Sequence, residues 1–364
     1  MSKQNQPKEP KQVVSGWHDF AELEYTRKLE ERALYPFSTI NFMTGGMELG
    51  ELTIIAGETG AGKTTFMTQV VNEVIKFDKM ACMYGESTLA KQVQNTYRSM
   101  TPYTKEGGGT NYEYKVYERD GKSTNIGAYF VNQEWEEKIK EKTKGKLYYY
   151  DTTKGMTMDD IVGQIDIAVK RGGIRYFLID NMTQVETITN DEVKELKDSV
   201  ERLRRYCIDN KVSIVLLAHF RKAQEMNLIR RNLQEIMGSS ASGQKGATVM
   251  NIIRLDGVDR NGKPYKNLNA IGTANGWNFD DADALVEVLK TRHNKLGFVP
   301  LKFYKATNTY KELPNSNRNH DSGEKEQFEK KPTLHAKPSE TQSSFFGNEA
   351  DGGMTPVDDD DLPF

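Results

Sequence analysis

Apolar residues recur along this chain in two alternating rhythms. Short unbroken runs at Leu52 to Ala56, Met80 to Tyr84, Leu147 to Tyr150, Tyr176 to Ile179 and Val212 to Ala218 have the length and residue types of buried strands. Between them the period lengthens. Thr65 to Lys76 places Phe66, Val70, Val71 and Val74 on one side of a helix. Two capping boxes announce further helices: Thr157 with Asp160 ahead of Ile161, Ile165 and Val169, and Thr189 with Glu192 ahead of Val193, Leu196, Val200 and Leu203. Strand and helix in turn predict an α/β fold with a mostly parallel central sheet flanked by helices. Val249 to Leu255, Ala284 to Lys290 and Val299 to Tyr304 then follow with little helix between them.

Three stretches depart from that rhythm. Residues 1–36 form an arm, flexible at first, in which Ser15 and Asp19 introduce Trp17, Phe20, Leu23, Tyr25 and Leu29 within a helix-permissive segment ending near Pro36. Its apolar residues are too few for a domain, so they pack on their own globule or on a neighbouring subunit. About residues 100–146, with Gly107-Gly108-Gly109 and a charged run from Glu134 to Lys144, read as a partly helical surface insertion. From residue 313 the composition turns to Asn, Ser, Lys, Glu, Pro and Gly, which predicts a disordered tail. The expected organisation is therefore an arm over 1–36, an α/β domain over 37–312 and a tail over 313–364.

Composition adds limits. A length of 364 residues allows one large core or two domains, and a formal net charge of -2 leaves any contact with nucleic acid to local patches. The only cysteines, Cys82 and Cys207, lie in apolar contexts that predict buried thiols in a reducing, cytoplasmic compartment. No apolar run reaches membrane-spanning length, and Met1 to Gln12 does not read as a signal or transit peptide.

The chemistry is concentrated at Gly57-Glu58-Thr59-Gly60-Ala61-Gly62-Lys63-Thr64, followed by Thr65. This G-x-x-x-x-G-K-T spacing, set between a strand and a helix, describes a loop whose backbone N–H groups cradle nucleotide phosphates. Lys63 reaches the β- and γ-phosphates, and the Thr64 hydroxyl ligates Mg²⁺. Hydrolysis needs more: a second metal anchor, an acceptor for the proton of water, and positive charge against the developing negative charge. Asp180 ends the strand Phe177-Leu178-Ile179 and is the candidate metal acid, while Glu86 follows Met80 to Tyr84 at the same sheet edge and is the candidate base. The bland readings are a strand-ending acid and a helix-opening acid. His219, after Ile214 to Ala218, is a candidate γ-phosphate contact or a structural strand-end histidine. Arg221, Lys222, Arg230 and Arg231 make a local cationic cluster, either a phosphate-backbone contact or a solvated loop.

The ordered succession of Glu51 to Gly57 with the phosphate loop, Tyr84-Gly85-Glu86-Ser87, Leu178-Ile179-Asp180-Asn181, Ala218-His219, Gly238-Ser239-Ser240-Ala241-Ser242-Gly243-Gln244 and Leu289-Lys290-Thr291-Arg292 resembles hexameric replicative DNA helicases of the DnaB superfamily. It is most similar to the phage helicase–primase and mitochondrial replicative helicase branch. The resemblance implies a RecA-like P-loop NTPase that uses ATP or another NTP or dNTP with Mg²⁺. It would assemble as a homo-oligomer, a hexameric ring, and move 5′→3′ on single-stranded DNA to open forked duplex. By position, Glu86 matches the catalytic base, Asp180 the second metal acid, His219 the phosphate sensor and Gln244 a γ-phosphate-sensing glutamine. Arg292, with Lys290 beside it, matches an arginine finger delivered from the next subunit. Arg254 with Phe303 or Tyr304 falls near the base-binding wall. The loop after His219 and the segment Met237 to Gly246, which includes Lys245, match DNA-binding loops of the central channel, and the arm matches a subunit-linking helix.

Only about fifty residues precede the loop, and no Cys/His cluster has zinc spacing, so priming is expected from another chain. The tip Asp358-Asp359-Asp360-Asp361-Leu362-Pro363-Phe364 resembles the acidic, Phe-terminated tails of single-stranded DNA-binding proteins and phage replication proteins. It implies docking on replisome partners: a polymerase, a separate primase or a single-stranded DNA-binding protein. The rival readings are a recombinase-like or regulatory ATPase filament on single strands and a non-enzymatic DNA-binding scaffold.

Overall fold

A computed structural model describes residues 12–14, 17–18, 32–102, 109–119, 122–151, 156–180, 192–219, 245–255, 281–293 and 295–313. The chain begins with β1 (Gln12–Val14) and β2 (Trp17–His18), paired antiparallel. Within the segment read as helix-permissive, Trp17 and His18 stand on a strand, paired with the β-branched Val13 and Val14 run. The rest of the arm up to residue 31 lies outside the described residues. Its end belongs to this globule: Ala33 bridges Met47, and Ala33, Tyr35 and Phe37 are buried.

The body is built from α1 (Ser38–Thr44), β3 (Leu52–Gly57), α2 (Lys63–Val74), β4 (Met80–Tyr84) and α3 (Leu89–Met100). After an inserted unit come β7 (Leu147–Asp151), α5 (Met158–Gly172), β8 (Tyr176–Asp180), α6 (Glu192–Asn210) and β9 (Ser213–Ala218). Four more strands close it: β10 (Thr248–Arg254), β11 (Ala284–Lys290), β12 (Gly297–Tyr304) and β13 (Thr309–Glu312). These strands form one nine-stranded sheet in the order β13-β12-β11-β10-β3-β9-β8-β4-β7. From β10 to β7 every pairing is parallel, and β11, β12 and β13 continue as an antiparallel meander.

Because side chains alternate along a strand, the central apolar runs feed two cores at once. Ile55, Val215, Leu217, Cys82 and Leu178 pack with Phe66, Val70 and Val74 of α2 and with Ile40 of α1 on one face. Ile54, Leu216, Ile214, Phe177 and Ile179 pack with Ile161 and Ile165 of α5 and Val200 and Leu203 of α6 on the other. The predicted two-faced parallel sheet is therefore present, and Cys82 and Cys207 are free and buried in its two cores. The capping box at Thr157 forms as expected, with Asp160 N donating to Thr157 Oγ1 at 3.2 Å and Thr157 N donating to Asp160 Oδ2 at 3.0 Å. Thr189 lies outside the described residues. No helix among the described residues is long and apolar enough to cross a membrane.

The interruption before β7 is a long hairpin, β5 (Thr110–Arg119) with β6 (Lys122–Val131), followed by α4 (Gln133–Thr143). The helical part was legible; the strands were not. Helix α4 is capped by Asn132, whose side chain accepts from Trp135 N at 3.0 Å, and it buries Ile139. The last strand, β13, is stapled to α2: Gln69 Nε2 donates to Tyr310 O at 2.9 Å and Tyr310 N donates to Gln69 Oε1 at 2.6 Å.

Leu216 is fully buried on the central strand β9. Replacing it with Ala is expected to lower unfolding free energy by about 2–5 kcal/mol, read as a shift in urea denaturation.

Candidate functional site

Parallel pairing makes adjacent strands finish level. Ala56 pairs with Ala218, Ile179 with Leu216 and Tyr84 with Asp180, so β3, β9, β8 and β4 end side by side. Their four successors or last residues, Gly57, His219, Asp180 and Glu86, therefore meet at one edge of the sheet.

The loop after β3 turns on positive backbone angles, φ +79° at Gly60 and +88° at Gly62, which a side chain would strain. At Gly57 the constraint is space instead, since a Cβ there would lie 2.9 Å from the Ile252 carbonyl oxygen of β10. Gly62 is the N-cap of α2 and offers no side chain to its first-turn N–H groups, which Lys63, Thr64 and Thr65 supply. These donors and the positive end of the helix suit an anion. Lys63 is almost fully buried; its Nζ donates to the carbonyls of Gly57 at 2.9 Å and Glu58 at 3.0 Å. Burial lowers the pKa of Lys63, and the nearby carboxylates of Glu86, Asp180 and Glu58 oppose that shift.

Asp180 is buried at the end of β8, where its Oδ2 accepts from Thr64 Oγ1 at 2.8 Å. Its Oδ1 is also buried and, among the described residues, accepts no hydrogen bond. A buried carboxylate oxygen left open beside a threonine hydroxyl is the donor set a hard divalent cation takes. Burial raises the Asp180 pKa to about 6, against the pull of the Thr64 hydrogen bond.

His219 stands between the lysine and the second acid. Its Nδ1 lies 3.3 Å from Lys63 Nζ and its Nε2 2.8 Å from Glu86 Oε1. An ammonium can only donate, so the network assigns Nδ1 as acceptor and Nε2–H as the donor to Glu86. Lys63, His219 and Glu86 thus form one hydrogen-bonded chain across the start of α2, the end of β9 and the segment after β4, a connection the separate readings of these residues did not contain.

Strands β10, β12 and β13 add to the same edge. Arg254 ends β10, two residues past Ile252, which pairs with Gly57. Of the two aromatic candidates, Phe303 has its ring centroid 5.2 Å from that of Tyr310, whereas Tyr304 carries the Lys311 ammonium at 4.8 Å. Tyr310 itself was missed by sequence reasoning. Its hydroxyl rests on Gly62 so closely that a Cβ there would collide with it. The only signal for it is one aromatic in the short run Thr309-Tyr310-Lys311-Glu312.

Arg292 and Lys290 are elsewhere. Strand β11 runs against β10, so Lys290 pairs with Val249 near the start of β10, and Arg292 Nη1 lies 3.9 Å from Glu51 Oε1, just before β3. The six residues of β3 separate that point from the loop, roughly 20 Å at about 3.3 Å per residue. Lys290 Nζ donates to Gly246 O at 2.7 Å, and burial lowers its pKa, with Arg292 adding to the shift. Lys245 lies beside Gly246 with its Nζ 2.7 Å from Glu201 Oε2. Gln244, Arg221, Lys222, Arg230 and Arg231 lie outside the described residues.

Comparison with known proteins agrees with this geometry. One solved ATPase domain is similar with a TM-score of 0.57 at 15% identity, covering 78% of this chain and 92% of that one. A DnaB-like replicative helicase, solved with its interactions with primase in view, gives a TM-score of 0.56 at 15% identity over 77% of this chain and 61% of that one. At such identity these likenesses establish the fold, a RecA-like ATPase fold. The family model of the DnaB-like helicase C terminal domain matches residues 35–312. That span is most of the chain, and the protein therefore belongs to the DnaB-like helicase C terminal domain family.

Proposed function

We propose that this member of the helicase family is the motor of a replicative DNA helicase, a homohexameric ring that hydrolyses ATP or another nucleoside triphosphate to move 5′→3′ on single-stranded DNA and unwind forked duplex. The observation that carries the reading is the separation of Arg292 from its own phosphate loop by the length of β3. A guanidinium there cannot serve the nucleotide of its own chain. It can serve that of a neighbouring copy, which ties turnover to assembly.

In this reading Gly57 to Gly62 and the first turn of α2 bind the phosphates, and Lys63 leaves its carbonyl partners for the β- and γ-phosphates. Thr64 and Asp180 hold Mg²⁺, which supplies charge neutralisation when bound. Glu86 accepts the proton as water attacks the γ-phosphorus and the bond to the β-phosphate oxygen breaks. His219, released by Lys63, and Gln244 sense the γ-phosphate. Arg254 and Phe303 flank the base. Arg221, Lys222, Arg230, Arg231 and Lys245 face the DNA backbone, which for Lys245 requires exchanging Glu201 for phosphate. Residues 1–36 link subunits, 37–312 carry the motor, and the tail from 313 recruits replication proteins, among them a separate primase. The phage and mitochondrial branch is the family parallel for this set of residues.

On a forked duplex with ATP and Mg²⁺, strand separation with closed rings under the electron microscope is expected; helical filaments would support a recombinase-like role instead. Arg292→Ala should bind nucleotide normally yet turn it over about 10³-fold more slowly or worse. Mixing it with Glu86→Ala copies should restore part of the activity at interfaces that join an intact base to an intact finger. Because the Asp180 pKa is raised to about 6, its carboxylate loses its charge as pH falls through that value. Mg²⁺-dependent nucleotide binding, measured by titration calorimetry, is therefore expected to weaken below about pH 6, and Asp180→Asn should remove that pH step together with most of the Mg²⁺ dependence.

A further inference from the structure

The tip of β11 that carries Arg292 is held by a cluster outside the nucleotide edge. His293 Nε2 lies 3.4 Å from Glu48 Oε2 and 3.5 Å from Glu51 Oε2, and Arg292 Nη1 lies 3.9 Å from the other oxygen of Glu51. Arg32, where the arm enters the globule, completes the pattern: its Nη2 is 2.9 Å from Glu48 Oε2 and its Nη1 donates to Gly45 O at 3.4 Å. Gly45, at φ +74°, passes close beneath both, since a Cβ there would lie 2.9 Å from Arg32 Nη1 and 3.2 Å from His293 Cγ. Glu51 is itself fixed, its carbonyl accepting from Ile214 N of β9 at 3.2 Å. Glu48, Glu51 and His293 offer ligand atoms within 4.8 Å of one another, a set that could hold a metal ion. The Arg32 guanidinium supplies positive charge to Glu48, and Arg292 approaches Glu51.

We propose that Glu51 and His293, backed by Glu48 and Arg32, are positioning residues for Arg292. They fix the β11 tip against the start of β3 so that the guanidinium is presented to the next subunit in one orientation. This rests on the finger role proposed above for Arg292. The geometry suits it in two ways. The carboxylate of Glu51 engages one Nη at long range, leaving Arg292 half exposed, with its remaining donors available to a bidentate phosphate contact. The imidazole and Lys290, anchored on Gly246, grip the strand on both sides of the arginine, so its backbone does not drift. Arg32 shares Glu48 with His293, which joins the finger to the segment arriving from the arm. A change in how the arm sits is thereby felt at the finger.

The test uses full-length protein on single-stranded DNA. Glu51→Gln and His293→Gln should each lower kcat for nucleotide hydrolysis about 10- to 100-fold, as a misplaced catalytic group does, with KM and melting temperature unchanged. Adding Arg292→Ala to Glu51→Gln should cost no more than Arg292→Ala alone, since both act through one group. Copies carrying Glu51→Gln mixed with Glu86→Ala copies should recover activity, because hybrid interfaces pair an intact base with a well-held finger. Full turnover by both single variants while Arg292→Ala is inactive would overturn the positioning role. So would a loss that mixing does not relieve. If Arg292→Ala itself hydrolyses nucleotide at full rate, the finger reading fails instead.

Discussion

The parallel hydrogen bonding of β3, β9, β8 and β4 is the constraint on which everything else rests. Strands that run the same way and pair in level register must end together, and each carries a polar residue where the apolar run stops. A slip of one residue would turn each apolar set to the opposite face and carry the end groups out of reach. The two buried cores, one under α1 and α2 and one under α5 and α6, fix that register. Packing energy spent far from the chemistry thus decides where Lys63, His219, Asp180 and Glu86 stand.

The electrostatics at that edge are those of a site prepared for a charge it does not itself supply. Lys63 is buried among backbone carbonyls and three nearby carboxylates, and Asp180 is buried with its pKa moved up to about 6. Both groups are penalised by desolvation. The triphosphate and divalent cation of the proposed function would bring one partner for each, so that their binding would relieve two unfavourable burials in a single event. The imidazole of His219, held between Lys63 and Glu86, makes the two ends of the site respond to each other.

Much of this was legible in the sequence, and the exceptions have physical reasons. Met80–Tyr84 and Ala284–Lys290 were readable to the residue, because the first is a continuous apolar run and the second is broken only by Glu287, as suits strands buried on both faces. The hairpin of β5 and β6 was missed, although Asp120-Gly121 sits between Tyr112, Tyr114 and Val116 on one side and Ile126, Ala128 and Phe130 on the other, a pattern that favours a two-residue turn. The charged residues interleaved there hid it. Strand β13 is too short and polar to show any period; it is held by its antiparallel ladder with β12 and by Gln69 of α2, which supplies both a donor and an acceptor to Tyr310. Motif spacing named the candidate residues at the nucleotide edge. It could not say that Arg292 lies at the far end of β3, because that follows from the reversal of direction between β10 and β11, a property of pairing rather than of order along the chain.

The contact between Tyr310 and Gly62 makes the final strand of the sheet a mechanical neighbour of the phosphate loop. Linkage is reciprocal, so any ligand that reshapes the loop must alter the energy of β13, and any strain arriving along β13 must alter the affinity of the loop. Arg98 of α3 holds the turn before β13 through the carbonyls of Lys305 and Ala306, which extends that reciprocity to a second helix. Strain reaching β13 through Leu313 would therefore be felt at Gly62 and in the loop it belongs to.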